Sequence, residues 1–330
     1  MLENLLEERV VDVLIIGGGG FLGQKIARAL AASGTLRGET ISSLALADLA
    51  APASMDAPFP VSCHAVDIAH RDQVDALFAP KPQAVFHLAA VVSGQAEAEF
   101  DVGMSANLTG TMNVLDAARA VGNTPVVVFS SSCAVYGGEI PEQIEDWTAL
   151  NPQTSYGAQK AAGELFVTDY SRKGFIDGRA PRLPTVTIRP GKANAAASSF
   201  MSSIFREPLQ GEEAVCPVQP DYALWYASPR VTVANLVKCA EIPADAFGEN
   251  RGFALPGRVG TIGEMVEAMR TVAGDEPVNR IRWEPDQRIL DIVLGWRPHI
   301  NPQKAFSLGL TADNSFEDNV RYFLEDDIRR

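Results

Sequence analysis

The chain has 330 residues, enough for one large core or for a main unit plus a smaller one. Its 46% hydrophobic share excludes a disordered chain, and a formal charge of −13 excludes attraction to nucleic acid or anionic membrane through a basic surface. No apolar run reaches membrane-spanning length, and MLENLLEERV carries acids where a secretory leader carries bases, so it reads as a short helical arm.

Val10–Ile16 is β-branched and apolar apart from Asp12, and it runs straight into a glycine cluster. Residues 21–33 follow with Leu22, Ile26, Ala29 and Leu30 at helical spacing. Further strands are predicted at 44–47, 61–66, 84–88 and 126–129, separated by helices at 72–78 and 107–120. A long helix is predicted over 156–172, then a strand over 185–188. Such alternation predicts an α/β fold with a doubly wound parallel sheet. Beyond about residue 190 the pattern loosens. Residues 1–190 read as a nucleotide-binding domain, and 191–330 as a smaller substrate-binding region that partly returns to the sheet.

Cys63, Cys133, Cys216 and Cys239 form no C-x-x-C pair, so they read as reduced thiols in a cytoplasmic protein. His64, His70, His87 and His299 lack metal-ligand spacing, and no metal is expected.

Gly17, Gly20 and Gly23 stand where a strand turns into a helix. There the chain must turn tightly and let a pyrophosphate reach the backbone, while the helix N-terminus offers free N–H groups. Asp48 ends the second strand 25 residues after Gly23, placed to accept from ribose hydroxyls. It would repel a 2′-phosphate, and no Lys or Arg between Glu39 and His70 offsets it, so NAD is expected over NADP. Asp67 ends the next strand and either meets the adenine edge or sits in a surface turn.

Tyr156 and Lys160 share a helix face at i, i+4. An ammonium beside the phenol would favour phenolate, making Tyr156 a base for a substrate hydroxyl and leaving Lys160 free to hold the nicotinamide ribose. Ser132, at the end of the Ser130–Ser132 run, would bond the reacting oxygen. Tyr-x-x-x-Lys alone is as well explained by a chance helix face; the serine run 24 residues earlier argues against chance.

GGGGFLG, HLAA, FSSSCAVYG and SYGAQK resemble the extended short-chain dehydrogenase/reductase family, the NAD-dependent epimerases and dehydratases, over about 190 residues. The resemblance implies a Rossmann fold, bound NAD, and Ser132, Tyr156 and Lys160 as the catalytic set. It also implies cofactor contacts at Phe21, Leu22, Leu88, Ala89 and Ala90, an Asn107 that supports the active-site helix, and a homodimer packed through the helices at 107–120 and 156–172. Gly19 departs from the family, which usually has Ala there, and the arm before Val10 is extra. AAVVSGQAEAEFDVGMSANLTGT and TIRPGKANAAASSF, with much of the remaining chain, resemble more narrowly the family's bacterial dehydrogenases of four-carbon sugar acids. That likeness implies oxidation at a C2 hydroxyl.

A small acid needs a cation for its carboxylate. Lys192, Arg206 and Arg230 are candidates, each equally readable as a surface charge, with Asn194 beside the first. Ser93 follows a strand end, where ligands of such sheets sit. Two alternatives stand: a nucleotide-sugar epimerase or dehydratase that returns its hydride, and a silent dinucleotide sensor.

Overall fold

The computed structural model describes residues 9–192, 197–293 and 295–328, so the N-terminal arm and Asn194 lie outside the described residues. Seven strands form a parallel sheet: β1 (Val10–Ile16), β2 (Glu39–Asp48), β3 (Val61–Ala65), β4 (Ala84–His87), β5 (Val126–Phe129), β6 (Asp177–Leu183) and β7 (Gly252–Ala254). Their order is β3-β2-β1-β4-β5-β6-β7, which is the doubly wound arrangement with its reversal between β1 and β4. A two-residue antiparallel strand, Thr35–Leu36, edges β2, and Ser131–Ser132 pairs beside the end of β6.

Side chains of a strand alternate between faces, and here both faces are buried. Val11, Val13 and Ile15 of β1 join one core, while Leu14 and Ile16 join another. The first is covered by α1 (Phe21–Ser33), through Ile26 and Leu30, and by a helix at Pro229–Glu241, through Val233 and Leu236. The second is covered by α2 (Arg71–Phe78), α3 (Gly110–Ala120) and α4 (Ser155–Arg172).

Two sequence expectations shift. The helix at 107–120 starts earlier: Phe100–Gly103 leads into a π-helical stretch, Met104–Thr109, before α3. The expected strand at 185–188 is short, Thr185–Val186, and lies in a separate three-stranded sheet. The strand beside β5 is instead β6, whose sequence DGRAPRL carries Gly178, Pro181 and two arginines.

The C-terminal part has its own core, in which Phe200, Met201, Phe205, Met265, Phe316 and Phe323 pack together. It is tied back to the sheet by β7, and to the N-terminal part by a separate two-stranded pairing of His299–Ile300 with Gln143–Ile144.

Candidate active site

The glycine turn joins β1 to α1. Gly17 has φ +90°, and a Cβ there would stand 2.6 Å from the Ala89 amide nitrogen, so no side chain fits between the ends of β1 and β4. A Cβ on Gly23 would come within 2.3 Å of the Gly17 carbonyl oxygen. Gly20 precedes α1 without a side-chain cap, which leaves the first N–H groups of the helix open to an anion. These features fit the pyrophosphate of a dinucleotide. Asp48 ends β2, its Oδ2 accepting from the Gly19 N–H at 3.0 Å and its Oδ1 from the Leu49 N–H at 2.8 Å. Its carboxylate thus stands beside the turn. Asp67 accepts from the Ala69 N–H at 2.9 Å and faces His70, shaping the bend into α2.

A cavity of about 400 Å³ runs from this turn toward the C-terminal part. Gly17, Gly20, Phe21, Leu22, Gly23, Leu88 and Ala90 line its near side, and Ser93, Ser132, Tyr156 and Lys160 lie in the same cavity. Ala89 stands behind Gly17. Asn107 is buried in the π-helical stretch, where its amide bonds the backbone of Val91 and donates to Gln159 of α4 at 2.8 Å.

Local sequence explains how the three reactive side chains meet. Thr154 caps α4 by accepting from the Gly157 N–H at 3.1 Å, which starts the helix one residue before Tyr156. The Tyr156 hydroxyl bonds Ser132, whose Oγ also accepts from the Ala134 N–H at 3.1 Å. Lys160 is 2% exposed and donates to the Ser130 carbonyl at 2.8 Å. Its Nζ lies 5.7 Å from the centre of the Tyr156 ring. Burial pushes the Lys160 ammonium down to about 7. Burial pushes the Tyr156 phenol up to about 12, with the Ser132 bond and the Arg189 charge pulling it back. The sequence reading gave that role to the Lys160 ammonium; the structure turns Lys160 to Ser130 and puts Ser132 and Arg189 at the phenol.

The expected carboxylate cations are placed elsewhere. Lys192 is exposed. Arg206 is 2% exposed, donating to the Arg189 carbonyl at 3.1 Å and to Glu207 at 2.5 Å. Arg230 pairs with Glu325 at 2.9 Å and Asp326 at 2.7 Å, and lies over the Tyr322 ring. None of the three lines the cavity. The acid that holds Arg206 is its chain neighbour Glu207, whereas those that hold Arg230 lie almost a hundred residues away.

The cavity's cations are Lys160, Arg189 and Arg297, and among the described residues no Asp or Glu lines it. Arg189 donates to the Ser198 carbonyl at 3.0 Å. Burial and the Arg206 charge lower its pKa to about 10, so it remains a cation at neutral pH. Half-buried Arg297 makes no ion pair among the described residues. Neither arginine is among the carboxylate candidates of the sequence: Arg189 directly follows the strand predicted at 185–188, and Arg297 lies beyond residue 190, where the pattern loosens. A basic residue directly following a predicted strand was the available signal for the first.

Among the described residues, no group of three or more His, Cys, Asp or Glu could hold a metal ion. No described helix is long and apolar enough to cross a membrane.

The model of the NAD dependent epimerase/dehydratase family matches residues 13–222. The chain is 47% identical over 320 residues to D-erythronate dehydrogenase of Cupriavidus necator, covering 96% of this chain and 98% of that protein. It is 42% identical to the Haemophilus influenzae protein of the same name, covering 96% and 100%. A solved structure described as a nucleoside-diphosphate-sugar epimerase from Agrobacterium tumefaciens superposes with a TM-score of 0.92 at 43% identity, covering 96% of this chain and 94% of that one. A GalE-like L-threonine dehydrogenase from Cupriavidus necator gives a TM-score of 0.81 at 26% identity, covering 96% and 99%.

Proposed function

Because the chain belongs to the NAD dependent epimerase/dehydratase family, we propose that it oxidises the C2 hydroxyl of D-erythronate to 2-oxo-D-erythronate with NAD. The observation that carries this reading is a Tyr-Ser-Lys set in a cavity whose charged lining is wholly cationic among the described residues. Near-full-length similarity to two D-erythronate dehydrogenases supports it.

Bound NAD supplies the hydride acceptor. Gly17 to Gly23 and the start of α1 hold its pyrophosphate, and Asp48 takes the adenosine ribose. Leu88, Ala89 and Ala90 border the cofactor, and Asn107 braces the helix that carries Tyr156. In its phenolate form, which the Ser132 bond and the Arg189 charge favour against burial, Tyr156 would take the hydroxyl proton as C2 gives up its hydrogen as hydride. Ser132 would hold the same oxygen as it becomes a carbonyl. Lys160 serves the ribose side. The carboxylate lies one bond from C2 and so must sit close to Tyr156. Arg189 is the cation at that phenol, and Arg297 is the other guanidinium of the cavity. These two replace Lys192, Arg206 and Arg230 as the carboxylate ligands, with Ser93 kept as a hydroxyl contact.

The same proposal divides the chain near residue 190. The part before it holds the cofactor and also carries Ser93, Ser132, Tyr156 and Arg189. The part beyond, which partly returns to the sheet through β7, closes the substrate side with Arg297. It includes a cytoplasmic location, which four free cysteines support. It also includes a homodimer, for which the exposed apolar side chains Phe100, Val102, Leu165 and Phe166 on neighbouring helices are the support.

The test is NADH appearance from NAD and D-erythronate, with Tyr156→Phe, Arg189→Ala and Arg297→Ala beside the wild type. Wild-type NADH is expected, with Tyr156→Phe lowering kcat by about a thousandfold. The arginine variants should each raise KM for the acid by about tenfold or more. A wild type that binds NAD but yields none of it as NADH favours the epimerase reading, which the 43% identical epimerase structure keeps open. Unchanged KM in both arginine variants removes them as carboxylate ligands.

A further inference from the structure

Behind the wall formed by Ser131 and Tyr136 lies a buried ion pair that takes no part in the chemistry above. Glu164 and Arg182 have side chains 4% exposed each. Arg182 Nε donates to Glu164 Oε1 at 3.0 Å and Oε2 at 3.1 Å, and its Nη2 also bonds Oε1. Its Nη1 donates to the Tyr136 hydroxyl at 2.5 Å. Glu164 Oε2 accepts in addition from Ser131 Oγ at 2.8 Å. Burial opposes the Arg182 charge, and the bonds to Glu164 outweigh it, so its pKa is raised above the ordinary value.

Four chain segments meet at this acid. Glu164 lies on α4, one turn beyond Lys160 and two beyond Tyr156, on the same helix face. Ser131 immediately precedes Ser132, and the two pair in register with Arg182 and Leu183 of β6. β7 supplies Gly252, where a Cβ would stand 1.9 Å from Glu164 Oε1, so only glycine leaves room for the carboxylate. A buried ion pair gains little stability over a well-packed apolar contact of the same volume. What it supplies is direction: a carboxylate with both oxygens bonded fixes angles that a leucine would leave loose.

We propose that Glu164, held by Arg182, is a positioning residue that sets Ser132 against Tyr156 through its bond to Ser131. This rests on the reading of Ser132 and Tyr156 given above. The bond runs from the residue adjoining Ser132 to the helix that carries Tyr156, so losing it frees one partner relative to the other. The ion pair also stands where β7 returns from the C-terminal part, so the same acid couples that part to the serine segment.

The test is steady-state kinetics on the full chain with NAD and D-erythronate for Ser131→Ala, Glu164→Gln and the double variant. Ser131→Ala removes one hydroxyl and leaves the ion pair whole, so it decides the question even if Glu164→Gln fails to fold. Its kcat should fall about tenfold while KM for the acid and NAD affinity by fluorescence titration stay within about twofold. The double variant should fall no further than the lower single one. A Ser131→Ala enzyme with wild-type kcat overturns the proposal, as do single-variant losses that multiply in the double. A wild type that makes no NADH from the acid would instead sink the reading of the site itself.

Discussion

Lys160 shows at a single residue how burial converts into pH dependence. Enclosed by Phe129, Tyr156 and the Ser130 carbonyl, it loses water and gains one hydrogen bond, and its pKa falls from 10.5 to about 7. The unfolded chain holds this proton up to its ordinary pKa, so between about pH 7 and 10.5 the unfolded state binds more protons. Stability therefore rises with pH across that window, and below it the full cost of the buried ammonium remains. The slope from this one group is at most about 1.4 kcal/mol per pH unit. Urea unfolding of cofactor-free protein at pH 7 and pH 9.5 should show a larger gain for wild type than for Lys160→Met. Parallel gains would mean that Lys160 is not titrating in that range. The residue scale is also where the sequence was most and least informative. Tyr156, Lys160 and Ser132 announce themselves by spacing, because one helix face and one strand end dictate where they go. Arg206 and Arg230 do not. Arg206 stands beside Glu207 in the chain, but nothing there tells that the pair is turned away from the cavity and buried. Arg230 is neutralised by Glu325 and Asp326, almost a hundred residues on.

At the level of elements, the approach of α4 to the serine segment depends on a missing side chain. A Cβ on Gly157 would lie 2.2 Å from the Ala134 carbonyl oxygen and 3.0 Å from Pro152. The first obstacle is backbone, so the helix would have to retreat, carrying Tyr156 away from Ser132. Gly157→Ala should keep its far-UV circular dichroism yet lose about a hundredfold in kcat, the cost of roughly an ångström of misplacement. Full activity in that variant would show that the two segments tolerate a wider gap. The glycine turn and β1, α1, β4, β5 and α4 were legible because each is a strand or helix with one unmistakable period. β6 was not. Pro181 removes a donor and Arg179 and Arg182 look like surface charges. Yet Arg179 is fully buried, donating to the Cys239 and Ile242 carbonyls, and Arg182 is buried on Glu164. Arg179 also pairs with Asp177 of its own strand, but the carbonyls and the Glu164 carboxylate that meet the two arginines in the interior lie on other elements. In the sequence, therefore, neither can be told from a solvated charge. The π-helical stretch escaped for a related reason: what turns Asn107 inward is its bonding to Val91 and Gln159, not any local propensity.

Across the whole molecule, charge and apolar exposure are unevenly distributed. The chain carries a net −13, yet its cavity is lined by three cations and, among the described residues, by no acid. That contrast makes the cavity the local sink for a small anion in a protein that otherwise repels one. The apolar surface is uneven too. Leu165 is 65% exposed and Phe166 38% on α4, while Phe100 is 57% and Val102 43% exposed on the adjoining helix. Side chains that solvent-accessible are not holding the monomer together, so changing them should cost the fold little. A self-complementary pairing of the same face from two copies would cover all four, the geometry of a two-fold dimer. Leu165→Glu with Phe100→Glu should then halve the mass seen by light scattering, to that of one 35.4 kDa chain. NADH formation per chain should persist, because every residue assigned to the chemistry comes from a single copy. A wild type already running at one chain's mass would remove the dimer and leave the chemistry untouched. A pair of charges that changes neither mass nor activity would place the contact on another face.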